Sequence, residues 1–191
     1  MNTLFPVFLK SDQLNFLIVG GGNVALEKLH FLYKSSPQTK IELVAESILP
    51  DVFELLKKFP DAKMYERSFT IEDLTDKHLV IAATNNSSLN AHLRDLANKY
   101  KFLLNVADKP AFCDFYLGGV VTKGDLKIGI STNGKAPILA RRLRETFEEI
   151  LPPSLEETIE STHQLRKKLH GNFEEKLKVL NELTKELKAG L

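Results

Sequence analysis

The chain has one cysteine, Cys113, in 191 residues. A single thiol closes no intrachain disulfide and builds no cysteine-based zinc site. Excess charge is also missing: 26 Lys and Arg stand against 25 Asp and Glu, a formal net of +1. That balance exerts no global pull on nucleic acid or an acidic membrane. Basic residues are not interleaved with aromatic ones as on a nucleic-acid-binding surface. No segment reaches the apolar length that crosses a bilayer, and the opening Met1 to Lys10 lacks the layout of a signal peptide. His30, His78, His92, His163 and His170 form no His-x-x-x-His or other compact ligand set, which argues against a permanent metal site and leaves only transient handling of a metal in a cleft. There is no nucleophile elbow and no phosphate-loop lysine motif, which argues against a serine hydrolase or an NTPase. A cytoplasmic enzyme or regulatory domain is the expectation that survives, with enough chain for a core and a smaller appendage.

What is present begins with Leu17-Ile18-Val19-Gly20-Gly21-Gly22-Asn23-Val24-Ala25, an apolar strand running through three glycines into a helical pattern. Strands are predicted over Phe16–Val19, Lys40–Ala45, Lys63–Glu66, Leu79–Ala83 and Phe102–Val106. Helices are predicted over Val24–Tyr33, from about Leu49 to Phe59, and from Asn86 or Ser87 to near Tyr100. Thr70 and Asp73 are spaced for a capping box on one helical turn. This alternation implies a parallel α/β sheet. After Pro110 the pattern changes. Tyr116–Thr122 and Leu126–Ser131 flank Lys123-Gly124-Asp125 as a hairpin, and a helix runs from Pro137 to about Ile150. Pro152-Pro153 breaks it. From Leu155 onward the pattern is helical, with Leu165, Leu169, Phe173, Leu177 and Leu180 in one stripe and Gly171 as a break. So charged a tail is expected to pack on the rest of the chain or on a second copy.

Gly20, Gly22 and Ala25 match the Gly-x-Gly-x-x-Ala form of the dinucleotide fingerprint. Gly20 permits the turn, Gly22 lets the backbone approach phosphate, and Ala25 lets helix and strand pack closely. Free amides at the helix start would meet the pyrophosphate. Gly21, Asn23 and Val24 lie in the same turn, where Asn23 either touches phosphate or simply continues the turn. Glu46, just past the second strand, can accept hydrogen bonds from the adenosine ribose or act as a capping charge. No Lys or Arg occurs from Val44 to Pro50 to receive a ribose phosphate, which favours NAD over NADP. Thr84, Asn85 and Asn86 follow the fourth strand and could line the nicotinamide side, with N-capping of the next helix by Asn86 or Ser87 as the alternative.

Two polar segments could carry chemistry. Asn105-Val106-Ala107-Asp108-Lys109-Pro110 opens at the same carboxyl edge as the glycine turn. Asp108 there is either a proton acceptor opposite hydride loss or an ordinary turn residue, and Asn105 either orients a substrate or caps the turn. The second segment is Ser131-Thr132-Asn133-Gly134-Lys135-Ala136-Pro137, followed by Arg141, Arg142 and Arg144. Ser131 and Lys135 sit in a possible anion nest. Arg141 and Arg144 share a helix face, where they either hold substrate carboxylates or pair with Glu145, Glu148 and Glu149.

In order along the chain, these motifs resemble the precorrin-2 dehydrogenase and sirohydrochlorin ferrochelatase family, the dehydrogenase-chelatase module of sirohaem synthesis. The resemblance rests on Phe5-Pro6-Val7-Phe8, Val19 to Ala25 with Lys28, Ala82-Ala83-Thr84, Asn90, Asn105-Val106-Ala107-Asp108, Ser131, Gly134 and Pro137-Ile138-Leu139-Ala140-Arg141. It implies oxidation of precorrin-2 to sirohydrochlorin with NAD as cofactor, with Asp108 as the catalytic carboxylate and in some members ferrous-iron insertion as well. It also implies a homodimer. The implied architecture is a Rossmann-type parallel sheet over residues 1–112, a small α+β dimerisation and cleft region over 113–150, and a helical domain over 151–191. A chain ending at Leu191 is expected to leave methylation to a separate uroporphyrinogen methyltransferase upstream. Some relatives have Gly-Gly-Thr-Ser where this chain has Asn133-Gly134-Lys135-Ala136, so roles resting on those hydroxyls, a regulatory phosphoserine included, are not implied. Two competing readings remain: a nucleotide-sensing regulatory domain without turnover, and a chelatase with weak redox activity.

Overall fold

The computed structural model describes residues 2–168 and 173–183. Its first compact unit comprises Met1–Gly119 and Ser131–Pro137, its second Val120–Ile130 and Ile138–Leu191. The residues 113–150, read from sequence as one region, are thus divided between the two.

In the first unit, β1 (Asn15–Val19), β2 (Lys40–Ala45), β3 (Lys63–Glu66), β4 (Leu79–Ala82) and β5 (Leu103–Val106) form a parallel sheet in the order β3-β2-β1-β4-β5. The central strands are apolar at successive positions because both faces are covered. Phe16 and Ile18 of β1 enter one buried cluster, while Leu17 and Val19 enter the other. Helix α1 (Asn23–Ser35) buries Ala25, Leu29 and Leu32 at helical spacing, and α2 (Pro50–Leu56) joins it on the first face with Val52, Leu55 and Leu56. Helix α3 (Ser87–Tyr100) covers the second face with Leu93, Leu96 and Ala97. Each large side chain taken fully out of water contributes about 1.5–3 kcal/mol, so these clusters hold the strand register. The sheet is doubly wound. Its connectivity reverses between β1 and β4, the place where such folds bind ligands at the carboxyl ends of their strands.

The five strands of the parallel sheet agree with expectation to within a residue. Helix α2 ends at Leu56, short of the expected Phe59. Pro60 disfavours helical backbone at the residue before it, and the chain closes instead through tight bonds from the Lys58 amide to the Leu55 carbonyl and from Phe59 to Leu56.

The second unit, from Val120, holds the expected hairpin of β6 (Gly119–Lys123), which starts three residues after the expected Tyr116, and β7 (Leu126–Ile130), with Gly124 at φ +53° in its loop. Helix α4 runs Pro137–Ile150, α5 Leu155–Lys168 and α6 Phe173–Leu183. The Lys123 ammonium donates to the Leu151 carbonyl at 2.7 Å, anchoring the hairpin to the end of α4. Leu169, His170 and Gly171 lie outside the described residues.

Candidate cofactor and catalytic site

The glycine turn is built by close backbone approaches. Gly20 has φ +117°, and a Cβ there would strike the Ala83 carbonyl oxygen at the end of β4. A Cβ on Gly21 would strike the Ser47 carbonyl oxygen, while its own carbonyl accepts from the Leu49 amide at 2.9 Å. Gly21 is therefore required by packing against the β2–α2 connection, a role the fingerprint does not assign. Gly22 differs. A Cβ there meets nothing within 4 Å, and as N-cap of α1 it has no side chain to occupy the first amides. Open space above backbone donors at a helix start is what a pyrophosphate needs. Ala25 is fully buried, as close helix–strand packing demands.

Glu46 lies one residue past β2 and is exposed, and its carboxylate accepts from the Ser68 hydroxyl at 2.7 Å. No Lys or Arg stands within Val44 to Pro50, but one follows β3 beside Ser68. Arg67, brought over by β3, donates to the Ser68 carbonyl at 3.0 Å. This arginine forms a two-pronged pair with Asp73, one prong at 2.8 Å, and lies 5.1 Å from the Tyr65 ring centroid. The pair holds the buried Asp73 carboxyl below its usual range, chiefly through the Arg67 hydrogen bond, and Asp73 also accepts from the Thr70 amide as the capping-box spacing predicts.

Asn86 takes the capping alternative. The Asn86 side chain accepts from the Leu89 amide at 3.0 Å, starting α3. Thr84 Oγ1 donates to the buried Asn90 side chain at 3.0 Å, and the Asn90 amide donates back to the Thr84 carbonyl at 3.1 Å. This ties the β4–α3 connection into one shape, with Asn85 exposed upon it.

Asp108 is exposed at the carboxyl end of β5 with φ +58°, a left-handed conformation that aspartate tolerates better than most residues. The segment around it closes the open edge of β5. The Asp114 amide donates to the Leu104 carbonyl at 2.7 Å, and the Asp114 carboxylate accepts from the Leu104 amide at 2.9 Å. Cys113 Sγ lies 3.3 Å from both the Val106 amide and the Val106 carbonyl. Burial pushes its thiol pKa up, which keeps the proton needed for donation. Arg94 on α3 reaches the Phe112 carbonyl at 3.1 Å and Asp114 at 2.9 Å. Asn105 is buried and donates to the Phe115 carbonyl at 2.9 Å. Its amide nitrogen is thus engaged with loop backbone, the second of the two alternatives its position offered. Arg94, Cys113 and Asp114 carry no local sequence signature, because their partners come from other elements.

The second polar segment folds on itself. Ser131 Oγ accepts from the Asn133 amide and Thr132 Oγ1 from the Ala136 amide, each at 3.2 Å, with Asn133 and Gly134 both left-handed and Lys135 exposed. On α4, Arg141 pairs with Glu145 at 2.9 Å, and Arg144 pairs with Glu148 and with Glu145. These are the neighbours the helix spacing offered as the alternative to substrate. The exposed Arg141–Glu145 pair contributes little in water, so a competing carboxylate can displace it, whereas Arg144 and Glu148 are partly buried. Among the described residues, no group of three or more His, Cys, Asp or Glu is placed to hold a metal, and no helix is long and apolar enough to cross a membrane.

A family model described as NAD(P)-binding matches residues 7–119, more than half of the chain. The chain belongs to that NAD(P)-binding family. A second model, described as the central region of a sirohaem biosynthesis protein, matches residues 123–150. A siroheme synthase from Ruthia magnifica is 36% identical over 180 residues, covering 93% of this chain and 35% of the relative. Another from Psychrobacter cryohalolentis is 40% identical over 152 residues, covering 80% and 28%. The chain therefore spans about a third of the length of the curated relatives it matches. A solved structure titled "SirC, precorrin-2 dehydrogenase" superposes with a TM-score of 0.72 at 21% identity, covering 94% of this chain and 89% of that one, which shows a shared fold.

Proposed function

We propose that the chain is an NAD-dependent precorrin-2 dehydrogenase, oxidising precorrin-2 to sirohydrochlorin for sirohaem synthesis. The observation that carries the reading is Asp108, an exposed carboxylate held by a buttressed loop at the same sheet edge as an open glycine turn. The sirohaem-type match over 123–150 and the siroheme synthase relatives support the substrate class.

The chain's residues divide the work. Gly20, Gly21 and Gly22 with the amides of Asn23, Val24 and Ala25 hold the pyrophosphate, Glu46 receives the adenosine ribose, and Thr84 and Asn85 border the nicotinamide side. NAD supplies a hydride acceptor when bound. Asp108 takes the accompanying proton, so the substrate loses two hydrogens as a hydride and a proton. Ser131, Lys135, Arg141 and Arg144 offer donors to the carboxylates around the macrocycle, Arg141 by exchanging its helix partner.

The reading includes a cytoplasmic homodimer with residues 113–150 contributing to interface and cleft, residues 151–191 as a helical domain, and a separate methyltransferase supplying precorrin-2. Purified protein with NAD and precorrin-2 should form NADH and sirohydrochlorin. Folded protein that binds NAD without forming NADH would overturn the reading in favour of a nucleotide sensor. Supplying sirohydrochlorin and ferrous iron to the same protein tests iron insertion as a second activity, and insertion without NADH formation would make it a chelatase.

A further inference from the structure

Beside Glu46, proposed above to receive the adenosine ribose, the structure places Ser68 and, through the Ser68 carbonyl, Arg67, whose guanidinium is already occupied by Asp73. Glu46, Ser68, Arg67 and Asp73 form a continuous chain of contacts: the Ser68 hydroxyl donates to Glu46, Arg67 donates to the Ser68 carbonyl, and Asp73 receives both prongs of Arg67. Arg67 therefore sits one residue removed from the Glu46 carboxylate. Its side chain remains 43% exposed, so it lies at the surface beside the segment that holds Glu46. An unoccupied guanidinium there would receive a ribose phosphate through the paired hydrogen bonds that suit arginine.

Three contacts prevent this. Asp73 offers a carboxylate whose side chain is only 7% exposed and is oriented by the Thr70 amide. The Ser68 carbonyl takes a further hydrogen bond, and the Tyr65 ring lies against the guanidinium. Meanwhile the Ser68 hydroxyl holds the Glu46 carboxylate, the group that repels phosphate and accepts from a ribose hydroxyl.

From this geometry we infer that Asp73, by sequestering Arg67, and Ser68, by orienting Glu46, are specificity-determining positions that exclude NADP in favour of NAD. Neither residue touches the reacting atoms. Each acts through a neighbour, Asp73 by withholding a cation and Ser68 by fixing an anion. The inference rests on the NAD-binding part of the proposed function and is independent of the tetrapyrrole.

Calorimetric titration of the full chain with NAD and with NADP tests it without any substrate. Wild-type protein should bind NAD more tightly than NADP. Asp73→Asn keeps an oxygen for the Thr70 amide but weakens the hold on Arg67, and should tighten NADP roughly three- to tenfold with NAD nearly unchanged. The combined Arg67→Ala and Asp73→Asn protein should lose that gain, which separates release of the arginine from a general loosening of the loop. Ser68→Ala should weaken NAD a few-fold and narrow the preference. A wild-type preference for NADP, an unchanged ratio in Asp73→Asn, or a gain that persists without Arg67 would each overturn the inference. Should Asp73→Asn prove unfolded by circular dichroism, Ser68→Ala decides, and an unchanged preference there overturns it. Protein that binds NAD selectively but leaves precorrin-2 unchanged would overturn the dehydrogenase and leave this inference standing.

Discussion

Asp108 occupies a left-handed backbone position, so the informative substitution is one that keeps the conformation and removes the charge. Asn tolerates that region, so Asp108→Asn should fold and bind NAD as wild type does. Loss of the proton acceptor should lower kcat by about 10²–10⁴-fold, read from the rate of NADH formation with precorrin-2. Undiminished turnover would remove Asp108 from the mechanism. Cys113 has a different role at the same scale. Its sulfur meets the amide and carbonyl of Val106; the carbonyl also accepts from the Lys109 amide, so Cys113→Ala strands the Val106 amide at the β5 edge. A stability loss of about 1–3 kcal/mol should appear as a lower urea midpoint at unchanged slope. An unchanged midpoint would show that water satisfies Val106 equally well.

At the scale of elements, the connection after β3 is held by the Arg67–Asp73 pair. Arg67 holds the Asp73 carboxyl below its usual range in the folded chain. A carboxyl with a depressed folded pKa binds its proton more weakly when folded than when unfolded. Its contribution is therefore fully present above the unfolded value of about 3.9 and is lost as pH falls through the lower folded value. Wild type should exceed Asp73→Asn in thermal stability at neutral pH, and the difference should shrink below about pH 4. A difference that stays constant into acid would assign the effect to lost packing. The same reasoning explains why β5 is a competent platform for Asp108. An edge strand exposes unpaired backbone, and here Leu104 and Val106 are paired by Asp114 and Cys113.

At the scale of the molecule, a ligand that binds only the folded state stabilises it by mass action. NAD at about one hundred times its Kd should add about 2.7 kcal/mol, and NADP at equal concentration should add less. Thermal denaturation with each cofactor reads this directly. Equal shifts would remove the preference for NAD. Helix α4 leaves Ile138, Leu139 and Leu143 exposed in the single chain, on the segment proposed as a dimer interface. Ile138→Asp should halve the mass measured by light scattering if that face joins two copies. An unchanged dimeric mass would place the interface elsewhere.

The sheet, its helices, the hairpin and the glycine turn were legible from residue order, because apolar periodicity and turn chemistry act between neighbours along the chain. Gly20, Ala25, Asp108 and the Thr70–Asp73 cap are local signals of this kind. The commitment of Asn105 to Phe115, the need for Gly21 beside Ser47, and the buttressing of Asp108 by Arg94, Cys113 and Asp114 were not legible. Each depends on a partner from another element. The end of β2 shows the division most clearly. Sequence by itself placed an acidic residue after β2 with no cation near it in the chain. Only the tertiary structure delivered Arg67 from β3 to that place and closed Asp73 on it, because parallel pairing aligns strand ends that are distant in sequence.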